Sequence, residues 1–287
     1  AGLLVVLSGL FYGASQHQLG SIGKTMCTYG DVFCEHPAYV LVGAGIGDAL
    51  DGETHAAADW RRIEALLTQT ATPLVNVHLV APPEYYPGIS QDSDNPAAAE
   101  AVSARLIGDL EPVVRRFGAA RVIAENNPPN PKECLRPAYR PEVIRRVIEE
   151  TGCGLLLDLA HARLAATKLG MDERHYVELL PIGRLHEIHI TGVQRIAGRW
   201  LERMTEQAVP TEIVAELAER EFDHLPLTDP DWRFFERAIS QVRAGAWREP
   251  WIVTFEYGGV GQPWEALTDA DALRTQIPRL RRLVIGA

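Results

Sequence analysis

A run of three leucines, followed at once by an acid and then a histidine, most constrains how this chain can fold. Residues 154–163 read GLLLDLAHAR, and the leucines form an apolar stretch without a polar face, as in a β-strand buried on both sides. Asp158 ends the run, and His161 follows where an alanine-rich helix begins. In parallel α/β proteins, ligands and metals bind at the carboxyl end of such a strand. The alternative for this segment is a helix cap at Asp158 with a surface histidine at His161.

The same pattern recurs along the chain, because four further predicted strands carry a histidine or an acid at or near their carboxyl ends. These residues are His78, Glu125, His189 and Glu256, in strands predicted over residues 74–80, 121–126, 185–191 and 251–257. Three more strands are predicted over residues 3–8, 31–34 and 39–42. From the third strand onward, predicted helices over residues 56–70, 97–117, 141–151, 172–180, 231–244 and 269–285 mostly alternate with the strands.

This alternation predicts an α/β fold with a single (β/α)8 TIM barrel over residues 1–287, interrupted by a long loop insertion at about 192–230. We expect Pro112 to kink or split the helix predicted around it. A doubly wound open sheet is the competing architecture, and it would require a nucleotide-binding fingerprint. The glycine-rich segment 43–52, GAGIGDALDG, leads into no helix directly and lacks the basic or hydroxyl residues of a phosphate loop. It is therefore interpreted as a rim loop.

Charge and composition narrow the range of partners. The formal net charge of −10 argues against general affinity for nucleic acid or for anionic membranes. Residues 1–13 are apolar, but they lack a basic leading segment and are too short to span a bilayer, so they are interpreted as the first core strand. Cysteines occur without CxxC spacing, at Cys27, Cys34, Cys134 and Cys153, which predicts reduced thiols in a cytoplasmic protein. The sequence leaves open whether the chain forms a homo-oligomer or binds a small partner protein.

The strand-end residues predict a metal site. In a closed parallel barrel all the strand carboxyl ends meet at one rim, so side chains far apart in sequence converge there. His161 lies just past one strand end, and His224 lies in the predicted long loop, which could fold over the same rim. The predicted metal ligands are His78, Glu125, Asp158, His161, His189, His224 and Glu256. Mixed imidazole and carboxylate ligands suit Fe, Zn or Mn better than Ca or Mg.

Two acids are candidates for proton transfer at this rim, Glu256 and Asp223, provided that they are not ligands. Asp223 could equally be a ligand beside His224 or only orient it. The other histidines lack a strand-end position and are interpreted as surface residues or as residues that support the ligands; they are His17, His36, His55, His175 and His186. The aromatic residues that follow the long loop, Trp232, Phe234 and Phe235, have the spacing of a helix packed on the barrel.

Six short motifs resemble those of a known family. In chain order they are VNVHL, VIAEN, LLLDLAHA, EIHITG, DHLPLTDPDW and TFEY, and the likeness covers roughly residues 39–257. The chain is similar to the xylose isomerase-like metal-dependent TIM barrels, which include sugar isomerases and epimerases and phosphoesterases of the endonuclease IV type. It most resembles the methanobactin-biosynthesis-like branch, whose multinuclear iron enzymes oxidatively modify cysteine in peptides during natural-product biosynthesis.

The resemblance implies metal ligation at the seven strand-end and rim residues given above. Two positions depart from the pattern of the iron branch. Val42 and Gly43 stand where the branch has a histidine after its third strand, and Phe222 stands where it has an aspartate two residues before the loop histidine. These departures predict a site for one or two divalent ions rather than three.

We therefore expect a metal-dependent TIM-barrel enzyme that acts on a small molecule or a peptide. Isomerase- or epimerase-type chemistry and iron-dependent oxidative chemistry rank close together. Phosphodiester hydrolysis ranks behind them, because the net charge is acidic and no basic groove is evident. The alternative to an enzyme is a non-catalytic binding barrel with a degenerate metal site.

Overall fold

The computed structural model describes residues 2–6, 64, 67, 74–130, 134–257 and 263–285, with the backbone alone for residues 2–6. Several predictions fall outside these ranges. They are the strands over residues 31–34 and 39–42, the glycine-rich segment 43–52, almost all of the helix over 56–70, the cysteines Cys27 and Cys34, and the histidines His17, His36 and His55.

Eight strands and nine α-helices lie within the described residues. The strands are β1 (Gly2–Val6), β2 (Val75–His78), β3 (Val122–Glu125), β4 (Gly154–Asp158), β5 (Leu185–Ile190), β6 (Gly192–Arg195), β7 (Glu221–Leu225) and β8 (Ile252–Glu256). The helices are α1 (Pro96–Phe117), α2 (Pro141–Thr151), α3 (Leu159–Leu169), α4 (Glu173–Leu179), α5 (Arg199–Glu206), α6 (Thr211–Leu217), α7 (Asp229–Arg243), α8 (Trp264–Leu267) and α9 (Ala270–Ile285).

Six of the strands form one parallel sheet in the order β1-β8-β5-β4-β3-β2. All six were predicted from the sequence, and helices separate most of them along the chain. The order places β1 beside β8, so the first described strand of the chain pairs with the last, as in a sheet that curls toward closure. The described part of the chain therefore has the architecture of an α/β barrel.

The two faces of this sheet differ in polarity, because successive side chains of a strand point to opposite sides. One face packs against the helices and is apolar, with Val75, Val77, Val122, Ala124, Leu155, Leu157, Ile188, Ile190, Val253 and Phe255. Alternation places a buried polar set on the other face, composed of Asn76, Glu125, Asp158, Glu187, His189, Thr254 and Glu256. The sheet thus presents its carboxylates and imidazoles to the barrel interior.

Two local predictions about helices had different outcomes. Helix α1 continues without a break through Pro112, so the predicted split is wrong. A proline removes one backbone donor, and packing of the buried face, which includes Leu106, Leu110 and Val113, keeps the helix together. The core interpretation of the residues on α7 is confirmed, since Trp232, Phe234 and Phe235 are all buried.

The insertion at about 192–230 is more ordered than the predicted loop. Strands β6 and β7 form an antiparallel pair, and α5 and α6 connect them. A separate hydrophobic cluster supports this unit, with Ile196, Trp200, Met204, Val209, Leu225, Ala266 and Leu267 buried together. His224 consequently lies on a strand, not in a loop. No helix in the described residues is both long and apolar enough to cross a membrane.

Candidate metal centre

The parallel register brings the strand-end residues into neighbouring positions. His78 pairs with Glu125 between β2 and β3. Asp158 pairs with His189 between β4 and β5, and His189 pairs with Thr254 between β5 and β8. Because all these strands run in the same direction, their polar ends meet at one rim, as the sequence predicted.

Four residues of this rim form a first donor group, Glu125, Asp158, His189 and Glu256. One potential ligand atom from each lies within 4.8 Å of the others, and all four side chains are buried. His189 Nδ1 lies 3.0 Å from Glu256 Oε2 and 3.5 Å from Glu125 Oε1. Three carboxylates and one imidazole therefore converge on a space that has the donor types of an iron, zinc or manganese site.

A second donor group consists of His161, Asp223 and His224, whose potential ligand atoms also lie within 4.8 Å of one another. Asp223 Oδ2 is 3.0 Å from His161 Nε2, and Asp223 Oδ1 is 3.8 Å from His224 Nε2. Asp223 thus stands between the two imidazoles. Phe222, which occupies the position where the iron branch has its aspartate, instead stacks on Trp264 with 5.1 Å between ring centroids.

The two donor groups are adjacent, and Glu125 and His161 join them. His161 Nδ1 lies 3.5 Å from Glu125 Oε1, and His161 Nε2 lies 3.9 Å from Asp158 Oδ2. His78 belongs to neither group, but its Nε2 is 2.9 Å from Glu125 Oε2. All the residues predicted as ligands or proton carriers are therefore brought together, although their assignment as metal ligands stays a prediction.

Asp158 is a helix cap and also belongs to the first donor group, so the two alternatives for this residue do not exclude each other, and the surface position for His161 is wrong because that side chain is buried. Asp158 is the N-cap of α3, because Oδ1 accepts a hydrogen bond from the backbone N–H of His161 at 2.7 Å. Its Oδ2 has no hydrogen-bond partner among the described residues and belongs to the first donor group. The cap thus fixes the carboxylate in place while leaving one oxygen for the site.

The amide side chain of Asn126 holds the strand ends in register. Asn126 Nδ2 donates to the backbone oxygen of Asp158 at 3.0 Å, and the backbone N–H of Asp158 donates to Asn126 Oδ1 at 2.9 Å. In addition, the backbone oxygen of Asn126 accepts a hydrogen bond from His161 Nδ1 at 2.8 Å. Sequence reasoning missed this role, although the residue directly follows the strand-end Glu125.

Burial and close charges shift the pKa values of the histidines. Burial lowers the pKa of His161, but the carboxylates of Asp158, Asp223 and Glu125 outweigh burial and raise it to about 10. His189 follows the same pattern: burial opposes protonation, and Glu125 and Glu256 raise the pKa well above its usual range. The metal-free protein therefore holds protons on both imidazoles at neutral pH.

The pKa values of the buried carboxylates shift in different directions. Burial raises the pKa of Asp158 to about 6, against the effect of the nearby His161 imidazole. For Asp223, burial alone would raise the pKa, but His224 and His161 lower it to about 2. Burial also opposes ionisation of Glu125, but His78 and His189 hold its pKa well below the usual range. Neighbouring imidazoles thus offset the effect of burial for Asp223 and Glu125, whereas burial prevails for Asp158.

Unpartnered polar atoms test whether the residues fit a metal ion. Among the described residues, the buried atoms Glu125 Oε1, Glu125 Oε2, Asp158 Oδ2, His189 Nδ1 and His224 Nδ1 have no partner with hydrogen-bond geometry. Buried polar atoms are normally satisfied, and four of these belong to the first donor group. A cation at the point of convergence would satisfy them together, so the donor set fits a metal ion.

The β6–β7 pair that carries Asp223 and His224 depends on specific residues. A Cβ atom on Gly192 would overlap the backbone carbonyl groups of Leu225 and Pro226, so only glycine allows this approach of β6 to β7. His224 has a φ angle of 56°, a left-handed conformation that is uncommon for a residue with a side chain. Its ring makes an edge contact with Trp264, with 5.0 Å between centroids.

Comparison with known proteins agrees with the motif resemblance. Residues 137–228 match the family described as "RiPP precursor modification enzyme MbnB/TglH/ChrH". This segment carries five of the eight predicted site residues, Asp158, His161, His189, Asp223 and His224. A UPF0276 protein of Paraburkholderia phytofirmans is 47% identical over 51 residues, which cover 18% of this chain and 17% of that protein.

A UPF0276 protein of Acaryochloris marina is 28% identical over 88 residues, which cover 31% of this chain and 32% of that protein. The matched segments thus span less than a third of the length of these two relatives.

Solved structures also resemble the fold. D-psicose 3-epimerase, solved in the presence of D-fructose, gives a TM-score of 0.51 at 13% identity, over 99% of this chain and 89% of that one. A xylose isomerase domain containing protein of Salmonella typhimurium gives 0.48 at 14% identity, over 95% of this chain and 82% of that one. At such identities the likeness concerns the fold alone. The chain therefore has a TIM-barrel fold like that of D-psicose 3-epimerase, and the segment that carries most of its predicted site residues matches the MbnB/TglH/ChrH family.

Proposed function

We propose that this protein is an iron-dependent enzyme that oxidatively modifies a cysteine-containing peptide, with dioxygen as the oxidant. The observation that carries the proposal is the adjacency of two donor groups, since Glu125 Oε1 lies 3.5 Å from both His161 Nδ1 and His189 Nδ1. The match of residues 137–228 to RiPP precursor modification enzymes supports a peptide as the substrate. Fold and donor set together support the broader description, a metal-dependent TIM-barrel enzyme.

Each donor group would hold one ion. The first would use Glu125, Asp158, His189 and Glu256, and the second would use His161, Asp223 and His224, with His78 beside Glu125. When bound, iron would supply one-electron redox chemistry between the peptide and dioxygen. Three imidazoles and several carboxylates suit iron as well as zinc or manganese, so the identity of the metal decides the class of chemistry.

The chain's own groups would orient the donors and move protons. Glu256 Oε2 lies 3.0 Å from His189 Nδ1, and Asp223 Oδ2 lies 3.0 Å from His161 Nε2. In the metal-free protein each carboxylate therefore lies beside a histidine nitrogen that can hold a proton, and it would transfer protons during the reaction only if it does not itself bind an ion. Glu125 and Asp158 are buried completely, which excludes bulk water from the base of the site.

The first test is elemental analysis of protein purified anaerobically without added metal. We expect iron in the wild type and its loss in His189→Ala, because that substitution removes the imidazole of the first donor group. The matched control is His175→Ala, which removes an exposed histidine on α4 and should leave the metal content unchanged. The second test is oxygen uptake by the iron-loaded protein with a cysteine-containing peptide, compared with the serine version of the same peptide.

The outcomes separate the competing functions. Zinc or manganese in place of iron, without oxygen uptake, would contradict oxidative chemistry and favour isomerisation or hydrolysis. Absence of metal from the wild type, even after reconstitution, would contradict the enzyme proposal and favour a non-catalytic binding barrel. Iron together with cysteine-dependent oxygen uptake supports the proposal.

A further inference from the structure

Glu187 is a buried acid on the polar face of the sheet that the proposed donor groups do not use. It lies on β5 two residues before His189, so both side chains project from the same face. Only 2% of Glu187 is exposed. A carboxylate in such a position requires close polar partners, because burial of an unpaired charge is costly.

Two side chains supply these partners. Glu187 Oε1 accepts a hydrogen bond from Thr254 Oγ1 at 2.7 Å and lies 3.0 Å from His189 Nε2. Thr254 pairs with His189 in the register between β5 and β8. The three side chains therefore form a chain of contacts across two neighbouring strands, and its position is fixed by the backbone of the sheet.

This arrangement selects one tautomer of the histidine. A carboxylate oxygen can only accept, so His189 Nε2 must carry the hydrogen of the contact with Glu187. When the imidazole is neutral, as in a metal ligand, the lone pair lies on Nδ1. His189 Nδ1 lies 3.0 Å from Glu256 Oε2 and 3.5 Å from Glu125 Oε1, at the centre of the first donor group.

We propose that Glu187 is a positioning residue that orients His189 for metal binding through Nδ1, with Thr254 holding its carboxylate. The inference rests on the proposed function in one respect, since it needs an ion in the first donor group. Loss of such a supporting acid typically weakens metal affinity by about 10- to 100-fold. Glu187 touches no other predicted ligand in the described contacts, so its effect on the ion passes through His189.

The test is titration of the metal-free protein with Co²⁺, followed by the visible absorption bands of the bound ion. Glu187→Leu removes the acceptor and should weaken Co²⁺ binding by about 10- to 100-fold and shift the bands. Glu187→Gln keeps an oxygen that can accept from His189 Nε2, and it should restore most of the affinity. A merely structural role would leave the bands of the bound ion unchanged.

Thr254→Val supplies a second variant in case Glu187→Leu does not fold. It removes only the hydroxyl that contacts Glu187, and it should shift the same bands with a smaller loss of affinity. The matched control is Thr151→Val, which removes a buried hydroxyl that instead contacts Val147 and Cys153. Control and wild type should bind Co²⁺ alike.

Wild-type affinity and bands in folded Glu187→Leu would overturn the inference, while the proposed metal site would stand. If Glu187→Leu does not fold and Thr254→Val does, the inference would be overturned by Co²⁺ absorption bands that are the same in Thr254→Val as in the control Thr151→Val. Failure of the wild type to bind Co²⁺ would overturn the metal site and this inference together. Shifted bands in Glu187→Leu that Glu187→Gln restores support the inference.

Discussion

The imidazole of His161 donates a hydrogen bond from Nδ1 to the backbone oxygen of Asn126, at 2.8 Å. This contact ties the second donor group to the strand end that supplies the first, since Asn126 directly follows Glu125. It also leaves His161 Nε2 facing Asp223. The orientation of one histidine thus depends on a residue that would bind no ion.

Substitution Asn126→Ala tests how far the side chain of the same residue holds the neighbouring strand end in place. The change removes both side-chain hydrogen bonds to the buried backbone groups of Asp158. We expect a loss of about 2–4 kcal/mol in the free energy of unfolding, measured by urea denaturation of the metal-free protein. The control is Asn130→Ala, at a less buried position of the following loop. Equal stability of Asn126→Ala and the wild type would contradict this role.

Metal binding should strengthen as the pH rises. His161, with a pKa of about 10, and His189, with a pKa raised well above its usual range, hold protons at neutral pH, and an ion must displace them. Each displaced proton increases the apparent affinity about tenfold per pH unit below the pKa. We expect this increase for Zn²⁺ between about pH 6 and 8, measured by competition with a chelator.

Calorimetry of the same titration, in buffers with different ionisation enthalpies, should show the released protons directly. The variant His161→Ala should release about one proton fewer than the wild type at the same pH. An affinity that does not change with pH would show that the imidazoles are not displaced.

Substitution Gly192→Ala should disturb the second donor group selectively. The new Cβ would overlap the backbone of Leu225 and Pro226, so β6 and β7 must move apart and carry Asp223 and His224 with them. We expect a loss of about 1–3 kcal/mol in stability and a lower metal stoichiometry. Gly108→Ala is the control, because a Cβ there meets no atom within 4 Å and alanine favours the helix.

The thiol of Cys153 should be unreactive in the folded protein. Burial raises its pKa to about 11, so about 0.1% is thiolate at pH 8, and the side chain is inaccessible as well. Modification by a disulfide reagent, located by peptide mass spectrometry, should occur at Cys153 only after denaturation. Rapid labelling of Cys153 under native conditions would contradict this prediction.

Much of the barrel could be predicted because buried parallel strands have a strong local signature. The apolar run Leu155–Leu156–Leu157 predicted strand β4, and the acid that follows it, Asp158, predicted where the strand ends. Register then followed from topology, since parallel strands that end at one rim must bring Asp158 and His189 side by side.

The insertion could not be predicted in the same way. Its strands β6 and β7 are short, partly exposed and separated by two helices, so no periodic pattern distinguished them from a loop. Glu187 was also missed as a supporting residue, because the contact with Thr254 joins positions 67 residues apart. Such pairings depend on strand order, which the local sequence does not contain.

The division of the donors between sheet and insertion has a consequence for how such sites diverge. The first group stands entirely on parallel strands, whereas two of the three residues of the second, Asp223 and His224, stand on β7 of the insertion. Substitutions within the insertion can therefore add or remove ligands of the second ion without altering the parallel sheet. In a lineage of such barrels, nuclearity can evolve separately from the scaffold.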